Sequence, residues 1–156
     1  MKWILYCFML AYSFAAQATE KGTNREACLA AAQTQFAMNK CEGVNLQQIN
    51  AELARVLAAI KSNYHAKPEF LAKLAASQQA WQTSLQADLA MKFPLENKPL
   101  QYGSVYPMCS SSFQAQLTLQ RIALLKQWIQ GAEEGEVCSG SVLNSFYLNT
   151  ANHHDQ

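Results

Sequence analysis

The residues of this chain best suited to chemistry are four cysteines, Cys28, Cys41, Cys109 and Cys138, and three histidines, His65, His153 and His154. A cysteine nucleophile needs a free thiolate beside a base. A zinc site needs about four thiolate or imidazole ligands at short, regular spacings. Neither pattern is written here. No two cysteines form a C-x-x-C pair, and the adjacent His153 and His154 have nothing near them in sequence to complete a site. Serines cluster at Ser110, Ser111 and Ser112, but no G-x-S-x-G elbow surrounds them. Asp88 stands alone in its stretch, and Glu133, Glu134 and Glu136 read as a solvated acidic link rather than an acid–base pair. No glycine-rich phosphate loop occurs. The inventory points away from an enzyme, with no metal and no cofactor expected.

The cysteines fit disulfides better. Lys2, the apolar run Trp3 to Ala16 and the small residues Ala16-Gln17-Ala18 have the layout of a secretory signal peptide cleaved after residue 18. The run is shorter than the roughly 20 residues of a membrane span, so no span is expected in the mature chain. Cys7 would leave with the signal. Four cysteines would remain for an oxidising compartment, open to three pairings. Lys2 would leave too, so the 12 basic side chains become 11, against 11 acidic ones. A neutral surface has no long-range field to attract nucleic acid.

The elements that position these residues read as helical. Ala, Leu, Gln and Lys dominate the centre, and no stretch alternates with period two. Thr34 is suited to cap a short helix from Gln35 to Cys41, which Gly43 and Asn45 are expected to interrupt. Leu46, Ile49, Leu53, Val56, Leu57, Ile60 and Tyr64 then fall on one helical stripe. Pro68 opens the next helix, with Phe70, Leu71, Leu74, Gln78, Trp81, Leu85 and Leu89 at the same spacing. Pro94 and Pro99 are expected to end it and open a loop to Pro107. A third long helix is expected from Ser111, with Ser111 and Gln114 as a capping box, and Gly131 as its stop. The tail from 139 to 156 is expected to be loose, with Val142, Leu143, Phe146 and Tyr147 able to dock. This predicts an all-α, disulfide-stabilised antiparallel bundle of three long helices plus a short N-terminal one. Its domain spans residues 25–131, followed by an acidic linker and tail over 132–156.

Three segments resemble a known family in their order. They are Cys28 with Gln35-Phe36-Ala37-Met38-Asn39-Lys40-Cys41; Ser77-Gln78-Gln79-Ala80-Trp81; and Tyr102-Gly103-Ser104 to Cys109 followed by Thr118-Leu119-Gln120-Arg121. Together they resemble the lysozyme inhibitor LprI-like family of exported bacterial proteins. The resemblance implies a periplasmic binding protein with a protein partner, lysozyme, and protection of peptidoglycan. The alternative is a general envelope interaction module without that inhibition. Tyr102, Gly103, Ser104 and Tyr106 are the candidate contact residues, since tyrosines bring large area at low entropy cost. Gln78, Trp81, Thr118 and Arg121 are expected to be structural, with Trp81 in the core and Arg121 capping carbonyls or pairing across helices.

The chain departs from the family after the tryptophan, where an Arg-Asp pair and then a cysteine are replaced by Leu85, Gln86 and Leu89. That vacancy implies Cys138 as the new partner of Cys109, with Cys28 bonded to Cys41 across a chain reversal near Thr34. The competing arrangement joins Cys138 to Cys28 or Cys41 and Cys109 to the other.

Overall fold

The computed structural model describes residues 20–136, 138 and 143–151. The expected export signal, Val142 and the His153-His154 pair lie outside them. The elements are α1 (Glu20–Ala31), α2 (Gln35–Asn63), α3 (Pro68–Lys92), α4 (Lys98–Tyr102), a short 3₁₀ turn (Gly103–Val105), α5 (Tyr106–Gln130) and α6 (Ser145–Ala151). Among the described residues there is no strand, only an isolated bridge between Ala132 and Asn144.

Thr34 begins α2 as its composition requires. Its backbone is extended, and its hydroxyl accepts a hydrogen bond from the Ala37 N–H at 3.1 Å. The expected break at Gly43 and Asn45 does not occur, and α2 runs through both. A mid-helix glycine costs only about 1 kcal/mol, and the two residues before it are anchored. Cys41 is bonded to Cys28, and Glu42 is paired with Arg25; both are buried. Tertiary anchors outweigh a weak local preference.

The expected loop from Pro94 to Pro107 is also corrected. Pro99 lies in the first turn of α4 and Pro107 in the first turn of α5, where a missing N–H costs nothing. These prolines open helices instead of ending one. Because α5 starts at Tyr106, Ser111 falls inside it and cannot cap it. Gln114 Nε2 instead donates to Ser110 Oγ at 3.2 Å, one turn back.

Chain direction follows from pairs across helices. Gln35 meets Met108 at one end, and Tyr64 meets Trp128 at the other, so α2 and α5 run parallel. Gln78 meets Arg121, and Lys92 lies over the Phe113 ring, so α3 runs opposite to both. This is an up-down-up bundle. Small buried residues of α5, Ala115 and Thr118, let it approach α2 closely, whereas bulky Trp81 and Arg121 stand between α5 and α3. The core comprises Ile49, Leu53, Val56, Ile60 and Tyr64 of the α2 stripe, Leu74 of α3, and Ala115, Ile122 and Leu125 of α5.

α1 folds back on the start of α2 through Ala32 and Gln33, so Cys28 and Cys41 have Cα atoms 5.8 Å apart and form a disulfide. The closed loop has a sequence separation of 13, for which loop entropy predicts a contribution of about 3 kcal/mol. The double variant Cys28→Ser/Cys41→Ser is therefore expected to lose about that much in denaturant unfolding, with the helical circular dichroism of α2, α3 and α5 retained.

The tail is tethered. The Ala132 N–H donates to Leu143 O at 3.1 Å, and the Ser145 N–H to Ala132 O at 2.8 Å. Leu143 packs against the core as expected, but Phe146 and Tyr147 remain exposed. The residue that docks is Leu148, 2 % exposed.

Candidate functional site

Two places gather the residues singled out by the sequence. The first lies between α3 and α5. Arg121 is buried on α5 and reaches across to α3, where Nε donates to Gln78 Oε1 at 3.1 Å and Nη2 to Ser77 Oγ at 3.0 Å. Its guanidinium carbon lies 6.0 Å from the centre of the half-buried Trp81 ring, a cation–π distance. Thr118, one turn earlier, turns its hydroxyl inward onto Gln114 O at 2.8 Å and is almost fully buried. Gln78, Trp81 and Arg121 are thus one cluster, though 43 residues separate Gln78 from Arg121 in sequence. Burial pushes the Arg121 pKa below its ordinary value, because desolvation disfavours the charged form. Ser77 belongs to the same cluster. It precedes Gln78 on α3, yet no local pattern ties it to Arg121.

The second place is the end of the bundle built by α4 and the 3₁₀ turn. Phe93 at the end of α3 receives the rings of Tyr102 and Tyr106 edge-on, with centroids 5.3 and 5.1 Å away, and the two tyrosines stack at 5.8 Å. The Tyr102 hydroxyl accepts from the Leu95 N–H at 3.1 Å, and Lys98 Nζ donates to the Phe93 and Leu95 carbonyls. The tyrosines therefore spend their rings on holding this cap together. Asn39 Nδ2 of α2 donates to Ser104 O at 2.9 Å and pins the turn to the bundle. Gly103 has φ 67° and ψ −166°, a conformation open essentially to glycine alone. The cap shows Leu95, Leu100 and Val105 to solvent, together with Gly103, Ser104 and the polar Glu96, Asn97 and Gln101.

A third feature escaped the sequence reading. The Glu42 carboxylate, 2 % exposed, accepts from Arg25 Nε at 3.1 Å and also pairs with Arg25 Nη2, one residue from the disulfide. Glu42 holds the Arg25 pKa above its ordinary value, mainly through this hydrogen bond. Nothing local marks a glutamate as interior; α1 must fold back before its partner is visible.

Cys109 and Cys138 are free thiols, which corrects the expected bridge between them. The reason is length. From Cys109 to Gln130, α5 climbs about 31 Å, and the Ala132–Asn144 bridge then fixes the chain. The six steps from Ala132 to Cys138 span at most about 20 Å. Cys109, half-buried, instead lines a groove with Arg25, Glu42 and Lys92.

Compared with known families, residues 27–125 of the chain match the model of the lysozyme inhibitor LprI family. No curated protein and no solved structure matches the chain.

Proposed function

Since the chain belongs to the LprI lysozyme inhibitor family, we propose that it is an exported envelope protein that binds lysozyme through the α4 cap and shields peptidoglycan. The family match supports inhibition, and the cap supplies a means. Leu100 is 74 %, Leu95 51 % and Val105 36 % exposed, at one end of the bundle. Their backbone is held by the Phe93, Tyr102 and Tyr106 rings and by Asn39. A protrusion already ordered in the free protein loses little entropy when it enters a cleft. Among the described residues no helix is long and apolar enough to cross a membrane. With 12 basic and 11 acidic side chains in the whole chain, affinity must come from shape and apolar contact rather than from steering by net charge.

The test is a lysozyme lysis assay with oxidised protein and the double variant Leu100→Glu/Val105→Glu. The wild type is expected to inhibit. The variant is expected to need at least about tenfold more protein, as for loss of an interface anchor, at unchanged melting temperature. Failure of the wild type against several lysozyme classes would overturn the reading. Binding without inhibition would make the protein a general envelope interaction module.

A further inference from the structure

Arg121 is a buried cation with partners that cannot neutralise it. It is 8 % exposed. The acceptors bound to it, Gln78 Oε1 and Ser77 Oγ, are both uncharged. A guanidinium carries five N–H donors, and these two bonds use Nε–H and one hydrogen of Nη2. Both Nη1 hydrogens and the second on Nη2 are left over. That edge of the group takes a carboxylate in a two-pronged fork. Among the described residues no buried side-chain nitrogen lacks a partner, so Nη1, which has none, reaches open space.

That space is a cleft of about 250 Å³ between α3 and α5, lined by Trp81, Leu85, Leu117 and Leu124 and by the polar Ser84, Asp88, Gln120 and Arg121. Asp88 lies seven residues beyond Trp81, about 10 Å along α3. The cleft therefore has a cation beside an indole ring, a run of leucine surface, and a carboxylate two turns away. Its volume equals that of roughly eight waters, which suits a molecule of the size of a dipeptide. Desolvation already disfavours the lone charge on Arg121. An incoming anion offsets that cost by pairing with the charge directly.

We propose that this cleft is a binding site for the carboxyl-terminal end of a short peptide. Its carboxylate forks onto the free edge of Arg121, its aliphatic side chains lie against Leu85 and Leu117, and its N–H groups face Asp88. The site is separate from the α4 cap, and its test uses no lysozyme, so the two readings stand or fall apart.

The experiment is an NMR titration of the ¹⁵N-labelled full chain with alanyl-alanine and with the same dipeptide as its C-terminal amide. The Arg121 Nε–H and Trp81 indole N–H signals are followed. Saturable shifts with a Kd of about 1 mM are expected for the free acid, an ordinary value for so small a ligand. The amide is expected to bind at least about tenfold more weakly, having lost the charge-assisted fork. Arg121 is interior, so the decisive variant is Leu124→Glu. Leu124 is 43 % exposed on the rim; the new charge repels an anion there and leaves the bonds to Ser77 and Gln78 untouched. It is expected to weaken the acid at least about tenfold as well. Absence of a saturable shift at about 10 mM free acid, equal binding of acid and amide, or wild-type binding by Leu124→Glu would each overturn the proposal.

Discussion

Replacing Tyr64 with alanine is expected to cost about 3–5 kcal/mol of unfolding free energy, the cost of truncating a buried aromatic ring. Tyr64 follows α2 directly and is 0 % exposed. Its ring stacks on Phe70 of α3 with centroids 4.2 Å apart, and its hydroxyl donates to Trp128 O of α5 at 3.1 Å. One side chain thus joins all three long helices at the same end of the bundle. The alanine variant leaves a cavity there and strands a polar carbonyl. Tyr64→Phe keeps the stack and gives up the hydroxyl, for about 1 kcal/mol. Guanidinium titrations of both variants check this, with equal slopes expected and separated midpoints. Equal losses in the two would show that the ring contributes little.

Gly131→Ala is expected to release the C-terminal helix while the bundle stays folded. Gly131 ends α5 with φ 77° and ψ 177°, which side chains other than glycine's hydrogen avoid at a cost of about 1–3 kcal/mol. A methyl group at Gly131 would also stand 2.8 Å from Leu148 Cδ1, 2.8 Å from Ser145 N and 2.9 Å from Ser145 Cα. Two of those atoms are backbone, so no rotamer change relieves the overlap. The cheaper relief is for α6 to lift away, exposing Leu148 at a cost of about 2 kcal/mol but leaving the α2–α5 packing intact. Amide hydrogen exchange reads this directly. The Ser145 and Ala132 N–H groups, each now bonded to a backbone carbonyl, are expected to exchange about a hundredfold faster. The α2 amides should not change. Unaltered protection at Ser145 would show that α6 tolerates the methyl group.

These two positions divide what was legible in the sequence from what was not. Gly131 as a helix stop, Thr34 as a cap, Pro68 as a start and the stripe from Leu46 to Tyr64 are local signals. Each depends on groups within about four residues, the reach of one helical turn. The cap at Thr34 also permitted the Cys28–Cys41 bridge, since it lets the two cysteines face each other across one reversal, though other pairings stayed open until the fold was known.

The errors share a cause as well. Gly43, Pro99, Pro107 and Ser111 carry local signals that point either way, and packing decided among them. The continuity of α2 rests on Arg25 and Cys28 holding Glu42 and Cys41 from α1. The early start of α5 left Cys109 near its first turn and out of reach of Cys138. The sequence by itself determined the helical class, the helix ends at Thr34, Pro68 and Gly131, and the family. Only the tertiary structure decided that Gln78, Trp81 and Arg121 form one cluster, that the tyrosines face inward on Phe93, and that Leu148 rather than Phe146 docks. Each outcome depends on how distant elements pack: α3 on α5 for the cluster, the α4 cap on the end of α3 for the tyrosines, and α6 on the end of α5 for Leu148. Such packing is a sum over many distant contacts and has no signature within a single turn of helix.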